Sequence, residues 1–235
     1  MIHKLDLTIA NAYLIEGKYP ILVDTGGPKS FDTLQKSLKR VGFDLQDIAL
    51  ILHTHGHGDH VGSTAQLKQR YNISTALHTA DWEMVKQGRN KPFKFTRFGS
   101  RLIAPFVNTP FKAFQPDRLL DSTFPLQDYG IDAQIIHTPG HTRGSISIVC
   151  GSGEAVVGDV LMGGHLGGAF QPGLPRYHYF YDDLTQIHQS IKLLLDRGVQ
   201  TFYVGHGGPL AREAVIQKFG NIVSAVANQQ HSVSV

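Results

Sequence analysis

Short apolar runs separated by glycine-bearing polar turns divide the chain. NAYLIEGKYPILVDTGG, residues 11–27, predicts two short strands joined at Gly17, ending in a glycine loop after Asp24. From Pro28 to Arg40 the spacing changes to that of a helix, with Phe31, Leu34 and Leu38 on one face. DIALIL predicts a short buried strand, and Val61–Arg70 resumes helical spacing. The second half repeats this rhythm. IDAQIIH, SISIVC, EAVVGD and QTFYVGH read as strands. Asp183–Arg197 reads as a helix whose apolar face is Leu184, Ile187, Ile191, Leu194 and Leu195. Ala211–Phe219 is expected to begin a terminal helix, with NQQHSVSV as a frayed tail. Both halves run strand, histidine loop, helix, which predicts an α/β layered architecture. No low-complexity linker interrupts the 235 residues, so one domain over 1–235 is expected.

Composition sets limits. With 41% hydrophobic and 17% charged residues, the chain can build an ordinary globular core. Its longest uncharged apolar run, Ile48–Leu52, is far short of the roughly 20 residues of a membrane helix. The N-terminal stretch lacks the basic, apolar and small-residue regions of a signal peptide. Cys150 is the one cysteine, so no internal disulfide forms, and a cytoplasmic location is expected. Its run, SISIVC, predicts an inert buried thiol.

Charge is unevenly placed. Lys86–Arg118 holds eight Lys or Arg against one acid, Asp117, and six of the thirteen phenylalanines. Pro92, Pro105 and Pro110 break any long helix there, while Phe98, Leu102 and Phe106 share one helical face. Residues 84–118 therefore read as a basic, aromatic, lid-like insertion, or equally as a solvated basic face over core phenylalanines. As a lid it would suit a small-molecule substrate with an anionic or an apolar portion. Contact with an anionic membrane surface or with nucleic acid are subordinate readings of the same composition.

The stretch ILHTHGHGDHVG, residues 51–62, carries the chemistry. Neutral imidazoles and carboxylates suit zinc, and also iron or manganese. His55 and His57 are two apart, and in an extended segment such residues point to the same side. Asp59 and His60 sit where the chain turns into a helix and so project elsewhere. A solvated polar loop explains a lone histidine, but not H-x-H-x-D-H after a buried strand. Three later strand ends add His141 in HTPGHTRGS, Asp159 in VVGDV and His206 in YVGHGGP. Convergence on one rim accounts for all of them together. His53 is expected to be structural, and His78, His137 and His188 to be packing or surface residues. His165 could line the site, and one of Tyr177, His178, Tyr179 and Tyr181 could contact substrate.

In order, DTGG, THGHGDH, GHTRGS, GD and GHG resemble the motifs of the metallo-β-lactamase superfamily across nearly the whole chain. The resemblance implies a four-layer αββα sandwich with two metal ions at one edge. It implies that His55, His57 and His141 bind one ion, that Asp59, His60 and His206 bind the other, and that Asp159 bridges them. Asp24 would support these ligands from behind. Two zinc ions are the expected cofactors. A bridging hydroxide would then attack an ester, lactone or thioester of a small molecule, since a metal lowers bound water to a pKa of about 7. Asp59 would orient that oxygen or take its proton.

Departures narrow the choice within the superfamily. Metal-dependent β-lactamases generally lack an aspartate at the bridging position, so Asp159 argues against antibiotic hydrolysis. Glyoxalase II carries a helical C-terminal domain, whereas only 29 residues follow His206 here. Acyl-homoserine lactonases place a tyrosine soon after the bridging aspartate, where this chain has Met162 and no tyrosine before Tyr177. An alternative is a persulfide dioxygenase, which would hold a single iron through His55, His141 and Asp159. A phosphodiesterase or nuclease is a further alternative.

Overall fold

Side-chain alternation along the strands sets the layers. The computed structural model describes residues 1–8, 10–92, 94–96, 109–121 and 124–232. After β1 (Ile2–Asp6), every residue of β2 (Asn11–Ile15) is buried. Tyr13 and Ile15 face one core while Ala12 and Leu14 face another. The same division holds in β3 (Ile21–Val23) and β4 (Leu50–Leu52). Ile21, Val23, Leu50 and Leu52 turn one way, and Leu22 and Ile51 the other. These strands join β5 (Ser74–His78) and, beyond a two-residue strand β6 (Lys94–Phe95), β7 (Arg118–Leu120) in a six-stranded sheet of order β1-β2-β3-β4-β5-β7. Pairing is antiparallel as far as β3 and parallel beyond it.

A second sheet builds from β8 (Ala133–His137), β9 (Ile146–Cys150) and β10 (Glu154–Gly158). After the hairpin of β11 (Met162–His165) and β12 (Phe170–Arg176), β13 (Phe180–Tyr181) pairs with β6. β14 (Thr201–Val204) then lies parallel to β10, and β15 (Leu210–Ala211) closes the order β15-β14-β10-β9-β8. Ile131, Ala133, Ile146, Ile148 and Val156 meet the inner face of the first sheet in a shared core.

Helices cover both outer faces. α1 (Phe31–Arg40) buries Phe31, Leu34 and Leu38, the face its spacing predicts. α2 (Gly58–Val61) is a single turn, and α3 (Thr64–Tyr71) follows it. With Leu67 of α3, α1 packs on the first sheet. α4 (Trp82–Gln87) comes next in the chain. On the second sheet lie α5 (Leu184–Asp196) and α6 (Arg212–Ser232), whose Ile187, Ile191, Leu194, Val215 and Phe219 meet Ala155, Val157, Phe202 and Val204. Asp183 caps α5 by accepting from Thr185 N–H (2.8 Å) and Gln186 N–H (3.1 Å). The layers are therefore α, β, β, α. Each fully buried Leu, Ile or Phe adds about 1.5–3 kcal/mol.

Three expectations change. The terminal helix continues through Ser232, where a frayed tail was expected, because no glycine or proline follows Gly220. Cys150 is only half-buried, although burial still pushes its thiol up to about 11. Within the basic segment, Phe111 and Phe114 are buried against Val61, Ala65, Leu77 and Val85, the core reading for those two rings. The face expected at Phe98, Leu102 and Phe106 lies outside the described residues, as do Phe93 and Pro105. No helix among the described residues is long and apolar enough to cross a membrane.

Candidate metal centre

Carboxyl ends of parallel strands gather the predicted residues, as open α/β sheets arrange their ligand crevices. Asp24 follows β3, His55 and His57 follow β4, and Asp59 and His60 belong to α2. His141 sits in the β8–β9 loop, Asp159 directly follows β10, and His206 follows β14. All seven expected ligands meet at one place. The donor atoms of His55, His57 and His141 lie within 4.8 Å of one another, as do those of Asp59, His60 and His206, and those of His55, His60 and Asp159. Asp159 Oδ2 stands between the groups, 3.4 Å from His141 Nε2, 3.3 Å from His60 Nε2 and 3.4 Å from His206 Nε2. His55 Nε2 is 3.8 Å from it.

These atoms fit a cation better than they fit one another. His55 Nε2 and Asp159 Oδ1 are buried with no hydrogen-bond partner among the described residues. An unsatisfied buried polar atom costs about 1–3 kcal/mol. His57 Nδ1 faces His141 Nε2 at 2.9 Å, and two such nitrogens need a proton or a cation between them. Space is held open by backbone. A β-carbon at Gly205 would collide with Asp159 Oδ1 and stand 2.6 Å from His60 Cε1. Imidazole and carboxylate donors in this number suit divalent ions such as zinc.

The family model described as the metallo-beta-lactamase superfamily matches residues 5–206. The chain belongs to the metallo-β-lactamase superfamily. A relative from Methanocaldococcus jannaschii, named as a probable metallo-hydrolase, is 32% identical to this superfamily member over 202 residues, covering 84% of this chain and 87% of the relative. Hydroxyacylglutathione hydrolase GloC of Haemophilus influenzae is 31% identical over 195 residues, covering 81% of each. The solved BLEG-1 B3 metallo-beta-lactamase superposes with a TM-score of 0.67 at 23% identity, covering 92% of this chain and 97% of that one. A metallo-beta-lactamase family protein of Thermus thermophilus gives 0.67 at 21% identity, covering 98% of this chain and 81% of its own. Both likenesses establish the αββα fold.

In this superfamily member a buried carboxylate organises the histidine loop. Asp24 accepts from Thr54 N–H (2.8 Å), Thr54 Oγ1–H (2.7 Å) and His60 Nδ1–H (2.8 Å). Its backbone is left-handed at φ 63°, a conformation costing about 1–3 kcal/mol that these bonds hold in place. His53 is buried behind it, with Nδ1 3.6 Å from Asp24 Oδ1 and Nε2 3.0 Å from Thr64 Oγ1, the structural place expected of it.

Burial and neighbouring charge divide the titration of the cluster. Burial pushes His57 down to about 4 and His141 down to about 3, and pushes His55 well below its usual range. For His60 and His206 burial acts the same way but loses to the carboxylates. Asp159, Asp59 and Asp24 raise His60 well above its usual range, and Asp159 with Asp59 raises His206 to about 10. Burial opposes ionisation of Asp59 and Asp159, yet the facing histidines hold both carboxyls below their usual range.

Two further residues join the site. His178 Nε2 lies 3.5 Å from Asp159 Oδ2, and the imidazole packs on both His141 and His206. Sequence placed it in an aromatic group, Tyr177–Tyr181, with one unspecified substrate contact. Asp81 accepts from Gly56 N–H (2.9 Å), Thr142 Oγ1–H (2.7 Å) and Gly144 N–H (3.0 Å), tying the His55–His57 loop to the His141 loop. Its signal was only an acid before a helix. His165 instead bonds Arg176 Nη1 at 3.0 Å within the hairpin. His78 stacks on His137, and His188 takes Tyr177 OH at 2.7 Å.

Proposed function

We propose that the chain is a metal-dependent hydrolase that holds two divalent ions, zinc in the first instance, and cleaves an ester, lactone or thioester of a small molecule. One observation carries this reading. A single buried carboxylate, Asp159, lies 3.3–3.8 Å from nitrogens of His55, His60, His141 and His206. That is the disposition of a shared ligand between two donor sets. His55, His57 and His141 would hold one ion, and Asp59, His60 and His206 the other. Bound there, such ions supply Lewis acidity and bring water's pKa down to about 7.

The residues have separate tasks. Asp24 holds Thr54 and His60 so that the histidine nitrogens stay aimed inward. Asp59 is the carboxylate that reaches the mouth, its side chain 18% exposed against 1% for Asp159. It is therefore placed to orient the attacking water or accept its proton. Likeness to a hydroxyacylglutathione hydrolase favours a thioester among the three substrate classes. The donor atoms of Asp59, His60 and His206 also lie within 4.8 Å of one another, which supports a second ion beside the one at His55, His57 and His141.

The test is turnover by zinc-loaded, untagged protein on a panel of a nitrophenyl ester, a small lactone and a hydroxyacyl thioester of glutathione. The thioester is expected to be hydrolysed fastest. Folded Asp159→Ala and His141→Ala proteins are expected to lose nearly all turnover. Full activity in either variant would overturn the assignment.

A further inference from the structure

Phe180 hydrogen-bonds two imidazoles of the site in opposite senses. Its carbonyl lies 3.0 Å from His141 Nδ1, and a carbonyl can only accept. His141 therefore carries hydrogen on Nδ1 and presents a bare Nε2. The same polarity holds at His60, whose Nδ1 faces the Asp24 carboxylate. It holds at His55 too. His55 Nδ1 is 3.0 Å from Thr54 Oγ1, whose own hydrogen goes to Asp24 Oδ2. These three histidines are thus set up as electron-pair donors.

His178 is set the other way. The backbone N–H of Phe180 donates to His178 Nδ1 at 3.2 Å. That hydrogen is fixed by the backbone, whatever tautomer the ring takes. The Phe180 carbonyl also lies 3.3 Å from this Nδ1, but a proton on Nδ1 would confront the Phe180 N–H. The Phe180 N–H thus assigns Nδ1 as the acceptor, and on that assignment the ring's hydrogen sits on Nε2. An Nε2 that carries hydrogen has no lone pair for a metal. It points at the site, 3.5 Å from Asp159 Oδ2. Its side chain keeps 7% exposure, close to the 6% of His206 and above the 1% or less of His55, His60 and His141. With Asp59 and His206, His178 therefore lies on the more open side of the cluster.

We propose that His178 is a catalytic residue of this centre, a fixed Nε2–H donor at its mouth that hydrogen-bonds the substrate's acyl oxygen and the negative charge that develops on it. This rests on the hydrolase reading above. Such a donor acts mainly in the transition state, where removing one lowers kcat about 10²–10³-fold.

Two readouts test it. Nitrogen–proton correlation spectra of the zinc-loaded wild type are expected to show His178 as the Nε2–H tautomer, with Nδ1 unprotonated. This measurement stands whether or not the substrate panel yields turnover. Elemental analysis and kinetics of His178→Leu and His178→Gln provide the second. Both variants are expected to keep the wild-type zinc content. His178→Leu is expected to lose about 10²-fold in kcat with KM within a few-fold. His178→Gln, which retains an N–H donor, is expected to recover part of that loss. A protonated Nδ1, zinc lost from either variant, or an unchanged kcat in His178→Leu would overturn the proposal. Absence of turnover by the wild type would instead count against the hydrolase reading.

Discussion

Asp24 carries more of the site than its distance from the mouth suggests. Three donated hydrogen bonds and a left-handed backbone fix its carboxylate beneath His60 and Thr54. Partners of this kind set ligand orientation, and their loss typically lowers metal affinity 10–100-fold. Asp24→Ala is therefore expected to weaken zinc binding by about that factor in a chelator competition, with the far-UV circular dichroism retained. A second residue-level expectation concerns protons. Asp159 and Asp59 raise His206 to about 10, so it is protonated at pH 7 without metal, and His60 is shifted in the same direction. A metal needs the bare nitrogen, so loading at pH 7 should release at least one proton, and affinity should rise with pH. Calorimetry in buffers of different ionisation enthalpy measures this release, and a value near zero would contradict the expectation. The convergence of the seven residues was legible because His55, His57, Asp159 and His206 follow strands, Asp59 and His60 open the helical turn after β4, and His141 lies in the β8–β9 loop, all in glycine-bearing segments. His178 was legible only as one of four candidates, because its direction comes from a contact with Phe180 at the start of β13.

At the scale of elements, the two histidine loops belong to different sheets and need a tie. Asp81, at the start of α4, supplies it through Gly56, Thr142 and Gly144. All three partners are donors, so an amide would turn a hydrogen toward at least one of them. Asp81→Asn is expected to lower zinc affinity roughly 10-fold or more, read by the same competition. Strands that alternate or run wholly apolar were readable, among them β2, β8, β9 and β10. α1 and α5 were readable from their apolar faces. The hairpin β11–β12 was not, since MGGH and FQPGLPR carry glycine and proline that ordinarily mark turns. The same limit applied to β6 and β13, two residues each, which exist only by pairing with one another.

Across the whole molecule, three of the hydrophobic clusters lie between the layers and include none of the site's histidines or aspartates. The fold is therefore expected to form without metal, and bound ions would add stability by binding the native state alone. At free zinc 100-fold above its Kd, each occupied site would add about 2.7 kcal/mol. Treatment with a chelator is expected to leave secondary structure intact and lower Tm by several degrees, and zinc is expected to restore it. Unfolding on chelation would show that the cores are insufficient alone. The layered architecture followed from the order of elements in the sequence. The placement of Phe111 and Phe114 did not, because a basic, aromatic run reads equally as lid or core until a neighbour such as Val61 or Val85 is seen against it.

The central claim is that His55, His57, Asp59, His60, His141, Asp159 and His206 hold two divalent ions. Elemental analysis of the untagged protein, purified without chelator, tests it most directly. Two zinc per chain, falling in the Asp159→Ala variant, is the predicted result. One iron per chain with oxygen consumption, or no stoichiometric metal, would contradict it.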